Sequence, residues 1–225
     1  MDQNLLPGDL LLDNALVQKI IHPKARDDKF YAVLMRRVNR IAIIADELYL
    51  YRSTEKYLTV DDCELFGFLF ESLTFQMRMV YDYLCFVLRK EAGFKNYKQI
   101  KDGSFNNFLK RIKKDKKLLK LIHKELGTKV DNIIRSKKFS DLREVRNSIK
   151  NKLTFIEVTL RRKKIYIEGE YCFENKKGKK IISGYADSMV YDYCLHLSKW
   201  MFILQELLDN GYSSSLKKHT KKLLN

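Results

Sequence analysis

The stretch Leu142-Arg143-Glu144-Val145-Arg146-Asn147-Ser148-Ile149-Lys150-Asn151 concentrates side chains suited to phosphate chemistry. A guanidinium presents a rigid fork of donors that matches phosphoryl oxygens and stabilises charge developing on them. Arg146 carries such a fork, and Asn147 beside it carries an amide that both donates and accepts hydrogen bonds. Asn151 donates and accepts hydrogen bonds but does not titrate, so it cannot exchange a proton near neutral pH as a histidine would. On a straight helix, five positions correspond to about 140° of rotation, so Arg146 and Asn151 do not share a face. Lys150, four residues after Arg146, lies closer to its side. Leu142, Val145, Ile149 and Leu153 make the apolar face, with Arg146 at its edge.

Positioning these residues requires a frame, and the hydrophobic spacing predicts a mainly α one: an antiparallel bundle of long helices with a small antiparallel β meander before the last. Residues 9–21 read as a short amphipathic helix stopped by Pro23. From Asp27 to Tyr51, Phe30, Leu34, Val38, Ile41, Ala45 and Leu48 step by three or four, the stripe of a long helix. Asp61 and Asp62 open a second, apolar on most of its circumference and running to about Lys90, which should be central. Residues 104–126 form a third, followed by a short helix near 128–135, and Ser140 or Asp141 should cap the helix bearing Arg146. After Leu153 the pattern alternates: 154–160, 165–168, 171–173 and 181–182 predict two to four strands within a meander at about 154–183. Helix resumes at about Ala186 and ends near Asn210. A single domain over residues 1–212 is expected, with a basic tail over 213–225.

The pattern Arg146-Asn147-x-x-x-Asn151, late in such a frame, resembles the Arg-polar-x-x-x-His signature of the HEPN superfamily, with Asn in place of the final His. The resemblance covers the helical frame and is carried by a short motif. It implies a metal-independent ribonuclease ancestry in which a ribose 2′-OH attacks phosphorus and a cyclic phosphate end results. Arg146 then takes the phosphate role, Asn147 orients a neighbour, and Asn151 occupies the acid/base position, leaving the chain inactive or severely impaired. The resemblance also implies a homodimer with Arg146 of both copies facing a shared cleft, and a setting in bacterial abortive infection, antiviral defence or toxin–antitoxin biology. His22, His123, His196 and His219 offer no evident substitute for the missing group.

The net charge of +16 suits a polyanionic partner. Between Ser104 and Lys138, twelve Lys/Arg residues oppose Asp115, Glu125 and Asp131. Lys113, Lys114 and Lys117 on that helix, Arg143 and Lys150 on the motif helix, and Arg161 and Arg162 at the first hairpin tip are the expected RNA contacts. Lysine-dominated patches attract phosphate with little sequence reading. An exposed aromatic stacking platform is not evident, because most Phe and Tyr residues fall at core spacing. Two other readings stay open: a non-enzymatic module docking an acidic protein such as an antitoxin, and attachment of the tail to acidic membranes. The stretch Leu65–Leu88 would bury Glu71, Gln76, Arg78 and Asp82 in a bilayer, so no membrane span is expected. Cys63, Cys85, Cys172 and Cys194 have no metal-ligand spacing, so neither a disulfide framework nor a cofactor or metal site is indicated. The N-terminus lacks the basic segment of a signal peptide, and a cytoplasmic location is expected.

Overall fold

A computed structural model describes residues 5–14, 17, 29–50, 58–91, 105, 116, 120, 123, 132, 136–152, 156–172 and 179–209. In chain order its elements are α1 (Asp9–Leu12), α2 (Lys29–Leu50), α3 (Val60–Glu91), α4 (Lys138–Lys152), β1 (Ile156–Arg161), β2 (Lys164–Cys172), β3 (Lys179–Tyr185) and α5 (Ala186–Asp209). The chain is mainly helical, with a three-stranded antiparallel sheet, in the order β1-β2-β3, before the last helix. No described helix is long and apolar enough to cross a membrane. The chain divides into two compact units. One draws on Met1–Leu12, Arg37–Arg78 and Lys137–His196, the other on Asp13–Arg36, Met79–Ser136 and Leu197–Asn225.

In the first unit, the spacing read in the sequence becomes burial. Val38, Ile41, Ala45 and Leu48 of α2 are buried, as are Phe66, Phe70, Leu73 and Met77 of α3. The N-terminus of α3 is closed by a reciprocal capping box. Thr59 Oγ1 accepts from the Asp62 amide at 3.1 Å, and Asp62 Oδ2 accepts from the Thr59 amide at 2.9 Å. Contrary to the expectation of an enclosed central helix, Leu65 is 48% and Phe68 65% exposed. A helix apolar on two sides has covered one of them within its own chain. Helix α4 begins at Lys138, earlier than its predicted cap, and the Lys137 carbonyl accepts the Asp141 amide at 2.8 Å. Asp141 therefore sits in the first turn, where the helix dipole favours it.

Strand β2 is continuous across Gly169, joining two segments that the alternation had separated. Gly169 pairs with Ile156 on one side and Ile182 on the other, so ladder bonding on both edges carries the strand through it. The β1–β2 connection is a two-residue hairpin in which Arg161 pairs with Lys164. The inner sheet face buries Val158, Ile165 and Ile167, and α4 packs on β2 with Leu142 and Val145 buried. The backbone carbonyl of Ile156 passes 3.5 Å from where a side chain at Gly67 would begin, which sets β1 close against α3.

The expected helix over 9–21 is broken: α1 ends at Leu12, Asp13 is in a turn and Asn14 is non-helical. Asp and Asn side chains compete with helical backbone bonding, and in the second unit Asn14 Nδ2 donates to the Ser198 carbonyl at 3.1 Å. That unit's core includes Val17, Leu34, Val80, Leu84, Leu197 and Met201. Phe105 is its aromatic hub, 4.8 Å from the Tyr81 ring and edge-on to Trp200 at 4.9 Å. Of the predicted third helix, Phe105, Lys116, Lys120 and His123 are described, and each is helical.

Gly8 approaches α2 so closely that any side chain there would strike the Asp46 carboxylate, and its amide donates to Asp46 Oδ1 at 2.7 Å. Burial raises the Asp46 carboxyl above its ordinary 3.8; the Gly8 bond opposes this, and Asp9 and Glu47 reinforce it. A raised folded-state pKa means that stability from proton uptake is present below the unfolded value and lost as pH rises through the folded one. Asp46→Asn keeps an acceptor for Gly8 and removes the ionisation, so its stability relative to the natural chain should rise between about pH 3 and about pH 7 in urea denaturation. Asp46→Ala should cost about 1–2 kcal/mol at either pH, because the Gly8 amide loses its partner.

Candidate functional site

The rotation of α4 about its axis decides what the motif offers. With Leu142 and Val145 in the core, Arg143, Arg146 and Asn147 lie half-buried at its margin. Arg146 Nη1 donates to Asn147 Oδ1 at 2.9 Å, and its guanidinium lies over the Phe75 ring of α3, 5.7 Å from the centroid. The amide thus fixes one edge of the fork while the ring supports its plane, a cation–π arrangement worth about 0.5–1 kcal/mol. Phe75 was not legible as part of the site, since its helical spacing reads as ordinary core.

Arg143 precedes Arg146 by three positions, so the two guanidinium groups belong to one side of the helix. Neither forms an ion pair among the described residues. The Nε of Arg143 is shielded from solvent and has no hydrogen-bond partner among those residues. A buried donor left unmatched costs about 1–3 kcal/mol, and neighbouring like charges add a smaller penalty. An anion placed against this pair would relieve both. The helix margin therefore holds two half-buried guanidinium groups without a carboxylate partner among the described residues.

Helix α4 continues through Asn151 to Lys152, so the five-residue offset from Arg146 holds along regular helix. Lys150 and Asn151 lie in that helix, and their side chains fall outside the described residues. Lys113, Lys114 and Lys117 also fall outside them, while Lys116 and Lys120 nearby are exposed. His196 is 8% exposed within α5 and His123 is half-buried; His22 and His219 are outside the described residues. Cys194 is buried, and burial with Asp46 nearby holds its thiol protonated; Cys63 is raised in the same direction by burial, Asp62 and Glu64. Neither thiol is activated as a nucleophile.

Arg161 and Arg162 lie at the tip of the first hairpin, both exposed. Arg161 pairs with Glu168 at 2.8 Å and stacks on Tyr166, 3.8 Å from the ring centroid. Tyr166 stands directly opposite Tyr185 on β3, edge to face at 5.4 Å, and Lys164 lies 5.8 Å from the Tyr185 ring while pairing with Asp187 at 3.5 Å. The outer sheet face thus carries an aromatic pair overlaid by cations, a feature that was not evident in the sequence. In the sequence Tyr166 sits within the alternating segment 165–168, and alternation alone does not say which of its two faces is covered. The pleat turns the two isoleucines inward and the tyrosine outward.

Between the paired Arg161 and Lys164, Arg162 and Lys163 adopt φ values of 53° and 60°. Two-residue hairpin loops of this kind favour Asn-Gly, because a side chain with a Cβ is strained in the left-handed region. Replacing both, Arg162→Asn with Lys163→Gly, should stabilise the chain by about 1–2 kcal/mol in urea denaturation; an unchanged or lower midpoint would show that this strain is absent. In comparisons with known proteins, no family model, curated protein or solved structure matches this chain.

Proposed function

We propose that this chain is a HEPN-like, dimeric RNA-binding protein of metal-independent endoribonuclease ancestry, impaired in cleavage because Asn151 stands where the signature it resembles carries a histidine. The observation that carries the reading is the Arg143–Arg146 edge, where two half-buried guanidinium groups on the motif helix have no carboxylate partner among the described residues. The resemblance supplies the setting, cytoplasmic bacterial defence or toxin–antitoxin biology.

In cleavage by this route the ribose 2′-oxygen bonds to phosphorus, the bond to the 5′-oxygen breaks, one proton leaves the 2′-hydroxyl and another reaches the departing oxygen. Arg146, braced by Asn147 and Phe75, suits the negative charge that builds on the phosphoryl oxygens. Asn151 can hold a hydrogen bond at the ribose but moves neither proton. Binding therefore survives where turnover does not.

The homodimer answers the helical offset, since a second copy can bring its own Arg146 and Asn151 to a shared cleft. The exposed Phe68 lies two helical turns from Phe75 on α3, and with Leu65 it offers an apolar surface to that second copy. Light scattering should give a dimer mass for the natural chain and a monomer mass for Phe68→Lys; a monomer at all concentrations for the natural chain removes the shared cleft.

For RNA itself, association should weaken steeply with salt, log K falling against log salt by about 0.7 per phosphate contact on a single strand. Asn151→His should produce cleavage that leaves a cyclic phosphate end, detected by electrophoresis of end-labelled RNA. Loss of RNA binding in both proteins together with no cleavage in Asn151→His would sink the proposal. The two arginines, without a carboxylate partner among the described residues, also suit a carboxylate-rich protein such as an antitoxin. In that second reading Arg146→Ala disrupts protein assembly and leaves RNA affinity unchanged.

A further inference from the structure

We propose that the outer face of the three-stranded sheet is a separate contact for single-stranded RNA, a platform on which Tyr185 and the Arg161 guanidinium seated on Tyr166 take unpaired bases while the turn at Arg162 and Lys163 holds the flanking phosphates. The inference rests on the RNA-binding reading above and adds to it the form of RNA and the residues that meet its bases.

Every base has a π-face, so aromatic side chains bind unpaired strands without requiring a sequence. Tyr166 and Tyr185 are opposed on adjacent strands and half-exposed on the solvated side of the sheet, 5.4 Å apart. The Arg161 guanidinium covers Tyr166 at 3.8 Å, so a base at this position meets the guanidinium plane backed by the ring, a flat surface on which bases also stack. Glu168 tethers that guanidinium at 2.8 Å, which holds it over the ring before any ligand arrives.

Charge on the same face gives the strand a direction. Glu157 opposes Glu168 at the end of the sheet away from the hairpin. At the hairpin end stand Arg161, Arg162, Lys163 and Lys164, of which Arg161 and Lys164 are balanced by Glu168 and Asp187. Phosphates therefore belong at the tip and bases on Tyr185 and the Arg161 guanidinium. The turn supplies an independent argument. Arg162 and Lys163 occupy left-handed positions that Asn-Gly would fill without strain, yet the sequence places two cations there.

The test measures fluorescence anisotropy of a labelled oligouridylate of about twelve nucleotides, and of an abasic strand of equal length, against the full chain. Tyr166→Leu and Tyr185→Leu keep apolar bulk in the sheet, and each should weaken oligouridylate binding about tenfold without changing the salt slope. Arg162→Asn with Lys163→Gly should reduce the slope by about 1.4, for two phosphate contacts at about 0.7 each. The natural chain should bind the abasic strand no better than Tyr166→Leu binds oligouridylate. Should a tyrosine variant fail to fold, the abasic strand and the turn variant still decide, because neither disturbs the sheet. If the natural chain binds both strands equally and the turn variant keeps its slope, the platform is overturned while the Arg143–Arg146 reading stands. A natural chain that binds neither strand overturns the platform, and the RNA-binding reading falls with it only if Asn151→His also neither binds nor cleaves RNA.

Discussion

The burial of Leu142 and Val145 is the constraint on which the rest depends. A helix has one rotational freedom about its axis once its ends are placed, and two core residues one turn apart remove it. With α4 locked against β2 in this way, Arg143 and Arg146 must emerge at the margin of the core. There they are half-shielded from water and still reachable. Had the apolar seam been rotated by one position, the same arginines would be either solvated surface cations or intolerable core charges.

Shielding gives these arginines their chemical value. A guanidinium in water is satisfied by solvent and gains little from a phosphate, whereas one whose donors are partly withdrawn from water gains more. Asn147 and Phe75 restrict the orientation of the Arg146 guanidinium. The cations of the hairpin work differently. Arg161 and Lys164 are exposed and paired to carboxylates, and exposed pairs contribute about 0–1 kcal/mol each. Their main effect is to organise an aromatic surface. At Arg162 and Lys163 the left-handed backbone gives up local stability.

The sheet also links these two regions. Its inner face, through Ile165 and Ile167, belongs to the core that α4 packs against, and its outer face carries Tyr166 and Tyr185. One strand thus seats the motif helix with its odd-numbered residues and builds the aromatic surface with its even-numbered ones. A slip of one residue in the β1–β2 register would exchange the two faces, and Ile167 opposite Val158 holds that register by burial.

The sequence by itself determined the helical class, the long helices α2, α3 and α5, the small sheet before the last helix, and the edge position of Arg146. Each follows from periodicity, which is a local property with a period of about 3.6 or 2 residues. It did not determine where Asp13 and Asn14 break the first helix, because Asn14 is held by Ser198 across a long sequence separation. Nor did it show that Gly169 leaves β2 intact, that Phe75 lies beneath Arg146, or that Leu65 and Phe68 remain exposed on the helix that buries Phe66, Phe70, Leu73 and Met77. Those outcomes depend on which of several apolar faces finds a partner and on pairing across strands. Only the tertiary structure could decide them, since no single segment contains both members of a contact.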